Sequence, residues 1–432
     1  MSLKDRLTRL TGEAPKPSSI DPRQDRIAEL RRKLDRAMKP REHNTPAGIP
    51  APRRGETPLE HVVAGEETRT PHGAFFLSRA AMKADDVHGH VRICDAARAG
   101  LEAAANLAGV RMERDASMEG GLFLDTETTG LMGGTGTFPF LIGLGWFEAG
   151  SFVTCQLFAR DFSEEGAMLE YLSELASGRQ FLVTFNGRAY DLNLLAARFI
   201  LNRCRDSLSA MPHIDLLHPS RRILAHRLEN ARLSTIETHV LGVERDGDVP
   251  GFEIPGRYFD WLRHRDGRAV QDVFKHNRLD VVSLASLLKY LADLVEDSQK
   301  MVHSHHGDLL KVAGVIYERG DLSKARSMLE ALSLSPRPDV AASAREALSL
   351  VYKKARQWGK AAAIWQDLVA SNPHDFFAVV ELAKFYEHHA REHGKALQLV
   401  TRLLDGANGL SHDERASAEH RLRRLLQKAS LE

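Results

Sequence analysis

The chain has 432 residues, 43% of them hydrophobic, which is material for two or three domains rather than one compact unit. Its formal net charge is +1, so no global basic field announces nucleic acid, and any such contact must come from local patches. Cys94, Cys155 and Cys204 are far apart and form no C-x-x-C pair, which argues against a disulfide framework or structural zinc and for ordinary buried thiols in a reducing cytoplasm.

The first ten residues are charged and lack the apolar core of a signal peptide, and no later segment is long and apolar enough to cross a membrane. From Met1 to about Pro58 the chain is rich in Pro, Arg and Lys, and the seven prolines before Pro58 break any long helix, which predicts a disordered basic arm. One short basic helix, Ile27 to Met38, is expected within it; the arm is either a solvated tail or a contact for phosphates. Between His61 and Ile93, short alternating runs such as Gly73 to Leu77 predict a small β element packed onto the next domain, with His88 and His90 in a surface turn.

Gly121 to Gly130 is a short apolar run that ends in Asp125 and Glu127, with Thr126 between them and Thr128 after. Read as a buried strand, it projects both acids the same way, because successive side chains alternate faces. Gly133 to Thr137 lacks the Gly-Lys-Ser/Thr of a phosphate loop and reads as a turn. Runs 138–147 and 151–158 about Glu148-Ala149-Gly150 predict an antiparallel hairpin, Glu164 to Ala176 a helix, and Phe181 to Phe185 a buried strand. The order strand, strand, strand, helix, strand is that of an α/β layered domain.

After this last strand come Asn186, Gly187, Arg188, Ala189, Tyr190 and Asp191, then a helix from Leu192 to Leu201. An acid in the first turn of a helix that leaves a strand end points back across the sheet edge, toward Asp125 and Glu127. Asp215 in a further short strand is a weaker spare. His276 and Asp280, four apart in a helical segment, approach one point in space. Four carboxylates brought together without a cation would repel one another. Oxygen donors suit Mg²⁺ or Mn²⁺, and a pair of such ions is the arrangement that hydrolyses phosphodiesters.

With these residues the chain resembles the DnaQ-like DEDD 3′–5′ exonucleases, which have a ribonuclease H-like fold, and within them the YprB-like branch. The resemblance covers about Gly121 to Leu291 and rests on the segments around Asp125 and Glu127, around Asp191, and from His276 to Asp280. It implies a mixed sheet with flanking helices, Asp125, Glu127, Asp191 and Asp280 as ligands of two Mg²⁺ or Mn²⁺ ions, and Glu127 also orienting the attacking water. Members usually carry a tyrosine four residues before the last aspartate or a histidine five before it; here His276 takes the tyrosine spacing and Lys275 the histidine spacing. His276 is then either a water-positioning base, since an imidazole accepts a proton at neutral pH far more readily than a phenol, or the mark of lost activity.

Arg188, Lys275 and Arg278 are candidates for phosphate contacts, with Thr126, Thr128 and Asn186 lining the site, while Phe138, Phe140 and Tyr190 are candidates to stack on a terminal base. DNA and RNA are not distinguished. From about His306 the pattern is wholly helical, and a theme of tyrosine in one helix and alanine opening the next (Tyr317 and Ala325, Tyr352 and Ala361, Tyr386 and Ala396) returns roughly every 34 or 35 residues. It resembles tetratricopeptide repeats, which stack into a solenoid able to hold a protein partner.

The expected layout is an arm over 1–58, a ribonuclease H-like domain over 59–297 and a helical repeat domain over 306–428, with a hinge at Met301 to His306. The expected function is a cytoplasmic 3′–5′ exonuclease on single-stranded DNA or RNA; the alternative is an inactive scaffold that binds nucleic acid or protein.

Overall fold

A computed structural model describes residues 56–130, 136–296, 305–406 and 409–429. The expected arm up to residue 55, residues 133–135 of the expected turn and most of the expected hinge lie outside them; His306 already belongs to a helix.

The strands are β1 (Glu66–Thr70), β2 (Gly73–Met82), the two-residue β3 (Val87–His88) and β4 (Val91–Arg92), β5 (Gly121–Thr128), β6 (Pro139–Glu148), β7 (Ser151–Phe158), β8 (Phe181–Thr184) and β9 (His213–Asp215). Seven form one sheet in the order β1-β2-β7-β6-β5-β8-β9. The run from β1 to β5 is antiparallel throughout, and β8 and β9 lie parallel to β5. The expected separate β element is thus corrected: β2 pairs with β7 from Phe76 to Met82, extending the main sheet, because its buried run Phe75-Phe76-Leu77 needs cover on both sides. Only β3 and β4 stand apart. Their turn is at the surface only in part: His90 is exposed, but His88 is buried and its Nε2 lies 2.7 Å from Ser283 Oγ.

The longer helices are α1 (Leu101–Ala108), α2 (Glu165–Ser177), α3 (Asp191–Asn202), α4 (Leu217–Leu224), α5 (Ile254–His264), the 29-residue α6 (Arg268–Glu296), and α7 to α13, which are His306–Arg319, Leu322–Leu332, Pro338–Lys354, Trp358–Ser371, Phe376–Phe385, His393–Asp405 and His412–Ala429. Alternation along β5 divides the core. Leu122 and Leu124 face a cluster with Leu169 and Leu172 of α2, Leu195 and Phe199 of α3, and Tyr258 of α5. Phe123 faces the opposite cluster, with Leu107 of α1, Ile223 of α4 and Val281, Leu284 and Leu288 of α6. Phe138 and Phe140 belong to the first cluster and are buried, Phe140 stacked on Tyr258 with ring centroids 4.1 Å apart, so neither offers a face to a base. Of the cysteines, only Cys155 is fully buried.

Helix α6 reaches the sheet closely because β6 lacks side chains where it crosses. A Cβ on Gly143 would sit 2.2 Å from Asn277 Oδ1, and one on Gly145 2.6 Å from Val281 Cγ1. Gly143 is the register partner of Asp125, so the same absence brings α6 to the acid-bearing strand.

Helices α7 to α13 each pack on the next. Ala325, Ala361 and Ala396 are fully buried, small enough to let neighbouring helices approach. The α6 cluster continues without a break to Leu382 in α11. Asp308, buried in α7, accepts from Arg227 Nη2 at 2.7 Å and Tyr290 Oη at 2.7 Å, locking the first of these helices to the sheet layer. No helix among the described residues is long and apolar enough to cross a membrane.

Gly143→Ala is expected to lower unfolding free energy by about 1–3 kcal/mol in denaturant titrations, since overpacking must displace a held amide. Gly314→Ala, in α7 with nothing within 4 Å of its Cβ, should instead raise it by about 0.5–1 kcal/mol.

Candidate functional site

Strand β5 carries Asp125 and Glu127 on its α6 face, just before a bulge at Glu127 and Thr128 that ends the pairing with β6. From that face α6 contributes His276, Asn277 and Asp280. His276 Nε2 lies 4.0 Å from Glu127 Oε1 and 3.6 Å from Asp280 Oδ2. Asp191 comes from the other layer: it opens α3, and Thr126, whose side chain points that way, donates to its Oδ1. Two helices from opposite faces thus meet at one strand end.

Loop 186–191 is built to deliver Asp191. Asn186 adopts φ +67°, and a Cβ on Gly187 would sit 2.4 Å from Thr184 Oγ1. Asp215, the spare acid, is structural instead: its carboxylate accepts from the backbone N–H groups of Asn186 (2.8 Å), Arg188 (3.1 Å) and Leu217 (3.1 Å). Arg188 and Tyr190 are exposed beside Asp191, Tyr190 at 57%. Lys275 is exposed and donates to the Asp246 carbonyl. Thr128 is spent on the Gly130 carbonyl. Arg278 is corrected as a phosphate contact: half-buried against the sheet, it reaches Gln156 Oε1 at 3.3 Å.

Burial in this recess, followed by the charges of Asp280 and Asp191, pushes the Asp125 carboxyl well above the ordinary carboxylate range. Burial, then Asp125, Asp280 and Asp191, does the same to Glu127. Asp191 is also raised by burial, with the Thr126 hydroxyl opposing it. The recess is not closed: the side chains of Glu127, His276 and Asp280 keep 13%, 15% and 16% exposure.

Four participants escaped sequence reasoning. Asn277, fully buried, donates to Asp125 Oδ2 at 2.9 Å, its amide oriented because its Oδ1 accepts from Gln156 Nε2 at 2.9 Å. Asp248 stands 2.9 Å from His276 Nδ1 through either oxygen. Arg245 joins Asp248 (2.9 Å), Glu237 (2.5 Å) and Asp280. Glu237, buried, also accepts from Ser283, which accepts in turn from His88. Asn277 sits inside the His276-to-Asp280 segment; Arg245 and Asp248 lie in irregular chain with no periodic signal, and Glu237 opens a single π-helical turn, Glu237–Leu241. Among the described residues, the site therefore brings six carboxylates together with one arginine bonded to three of them. Oxygen donors in that excess suit hard divalent cations.

Comparison with known proteins agrees with this architecture. The RNase_H superfamily matches residues 122–292, the span from β5 to nearly the end of α6. The protein "Uncharacterized protein YprB" of Bacillus subtilis (strain 168) is 34% identical over 314 residues, 71% of this chain and 75% of that protein. Residues 122–292 are thus a domain of the RNase H superfamily, and the chain as a whole belongs to one family with YprB.

Proposed function

We propose that the protein is a metal-dependent nuclease of the DnaQ-like DEDD type, a 3′–5′ exonuclease on single-stranded DNA or RNA. The observation that carries this reading is the convergence of Asp125, Glu127, Asp191 and Asp280 from three elements on one strand end, where burial raises the first three and repulsion from the others adds to it at Asp125 and Glu127. Two unit charges about 4 Å apart repel by about 4 kcal/mol at an effective dielectric near 20. A fold that holds ligand atoms of Glu127 and Asp280 within 4.8 Å of each other is poised for a cation. Those four carboxylates would hold Mg²⁺ or Mn²⁺, which when bound polarise a phosphodiester and lower the pKa of water.

The chain's own groups supply the rest. Asn277 holds Asp125 in its rotamer, Thr126 holds Asp191, and Arg245 fixes one oxygen of Asp280. Tyr190 offers an exposed ring beside Asp191 for a terminal base, and Arg188 a cation for its phosphate. Lys275 is a second exposed cation on the α6 side. The helices over 306–428 would form a tetratricopeptide-like repeat domain that holds a protein partner, a reading supported by the spacing of the buried Ala325, Ala361 and Ala396.

Purified protein incubated with end-labelled single-stranded DNA and RNA should shorten one or both from the 3′ end with Mn²⁺ and not with EDTA. Asp125→Ala should slow this by roughly 100-fold or more, the scale of losing one charge-stabilising group. Equal inertness of both proteins across substrates would favour a binding scaffold. Tyr190→Ala should raise KM with little change in kcat, by the fold expected from about 1–3 kcal/mol of stacking.

Stability should show the same charge conflict. Asp125 and Glu127 are raised in the folded state, so the native protein holds protons that the unfolded chain has released, and stability falls as pH rises from about 4 through the folded values. In EDTA, wild type should lose more stability between pH 5 and 8 than an Asp125→Asn, Glu127→Gln double variant. Added Mn²⁺ should raise the Tm of wild type most at the higher pH and leave that variant unmoved; parallel pH profiles for the two proteins would contradict the electrostatics.

A further inference from the structure

Resting on the metal-centre reading above, we propose that His276 is itself a metal ligand, through Nε2, on one ion shared with Glu127 and Asp280. Ligand atoms of these three side chains all lie within 4.8 Å of one another. Two donors on a common ion with bonds of about 2.1 Å are at most about 4.2 Å apart, and the Nε2 separations from Glu127 Oε1 (4.0 Å) and Asp280 Oδ2 (3.6 Å) fall inside that reach.

The orientation of the ring carries the assignment further. His276 Nδ1 is 2.9 Å from each Asp248 oxygen. Arg245 Nη1 is 3.3 Å from the same nitrogen but has its own acceptor on Asp248 at 2.9 Å. Nδ1 therefore bears the proton and donates to Asp248, and the lone pair of Nε2 faces the two carboxylates. An imidazole whose far nitrogen donates to a carboxylate is the arrangement that fixes histidine ligands and raises their basicity. Arg245 completes it by taking Oδ1 of Asp280, leaving Oδ2 on the His276 side. Nε2 thus faces the two oxygens with which it would share an ion.

One nitrogen among oxygen donors changes the preferred ion. Imidazole favours first-row transition ions, whereas Mg²⁺ selects oxygen. The position where related enzymes are expected to carry a tyrosine would then tune this centre toward Mn²⁺ or a heavier ion over Mg²⁺.

The test is electron spin echo envelope modulation on the full chain loaded with Mn²⁺. Wild type should show modulation from a directly bound ¹⁴N, replaced by the ¹⁵N pattern when the protein is labelled with ¹⁵N-histidine. The signal should vanish in His276→Gln, and Asp248→Asn should keep it while weakening Mn²⁺ affinity by about 10- to 100-fold. Bound Mn²⁺ without histidine coupling in wild type, or coupling that survives His276→Gln, would overturn the assignment. Cleavage with an all-oxygen Mn²⁺ signal refutes this inference and leaves the nuclease reading intact. Nitrogen coupling in a protein that cuts nothing does the reverse, and failure to bind Mn²⁺ ends both.

Discussion

Repulsion among buried carboxylates at the end of β5 is the constraint around which the rest of the structure is arranged. Raising Asp125, Glu127 and Asp191 costs folding free energy at neutral pH, and a chain selected only for stability would place apolar or neutral groups there. The protein instead commits side chains to keeping them in place. Asn277 and Gln156 brace Asp125 from the α6 face, Thr126 ties Asp191 from the α3 face, and Arg245 spans Glu237, Asp248 and Asp280. Such bracing rigidifies donors before any ligand arrives, so little reorganisation is left when one binds.

Close packing of α6 on a glycine-bearing strand is what makes that bracing geometrically possible. Were β6 to carry a side chain opposite Asp125, the helix would stand off and its histidine, asparagine and aspartate would withdraw together. The same helix continues past the site into the core shared with α7 onward, and Asp308 pins that junction through Arg227 and Tyr290. The C-terminal helices therefore pack directly on the element that holds half of the cluster.

Much of this was legible in the sequence because it follows from short-range periodicity. Asp125 and Glu127 share a face by strand alternation, His276 and Asp280 by helical spacing, and Asp191 falls in the first turn after a strand. What stayed hidden depends on contacts between distant segments. Asn277 reaches Asp125 only because Gly143 lacks a Cβ, and Arg245 and Asp248 sit in a loop whose glycines, Gly242 and Gly247, take left-handed φ values that no residue pattern announced as a wall of the site. The errors have a common cause as well. Phe138, Phe140 and Arg278 are near the motifs in sequence but face the sheet, and β2 and His88 read as peripheral until β7 and Ser283 are seen to cover them.

The central claim is that these acids are a cation site and not a charged accident of the fold. Anomalous diffraction from crystals grown in Mn²⁺ tests it most directly. The account predicts peaks about 2.1 Å from carboxylate oxygens of Asp125, Glu127 and Asp280, with Asp191 bound to the same ion pair. Saturating Mn²⁺ that leaves this recess empty, while the four side chains keep their positions, would contradict it.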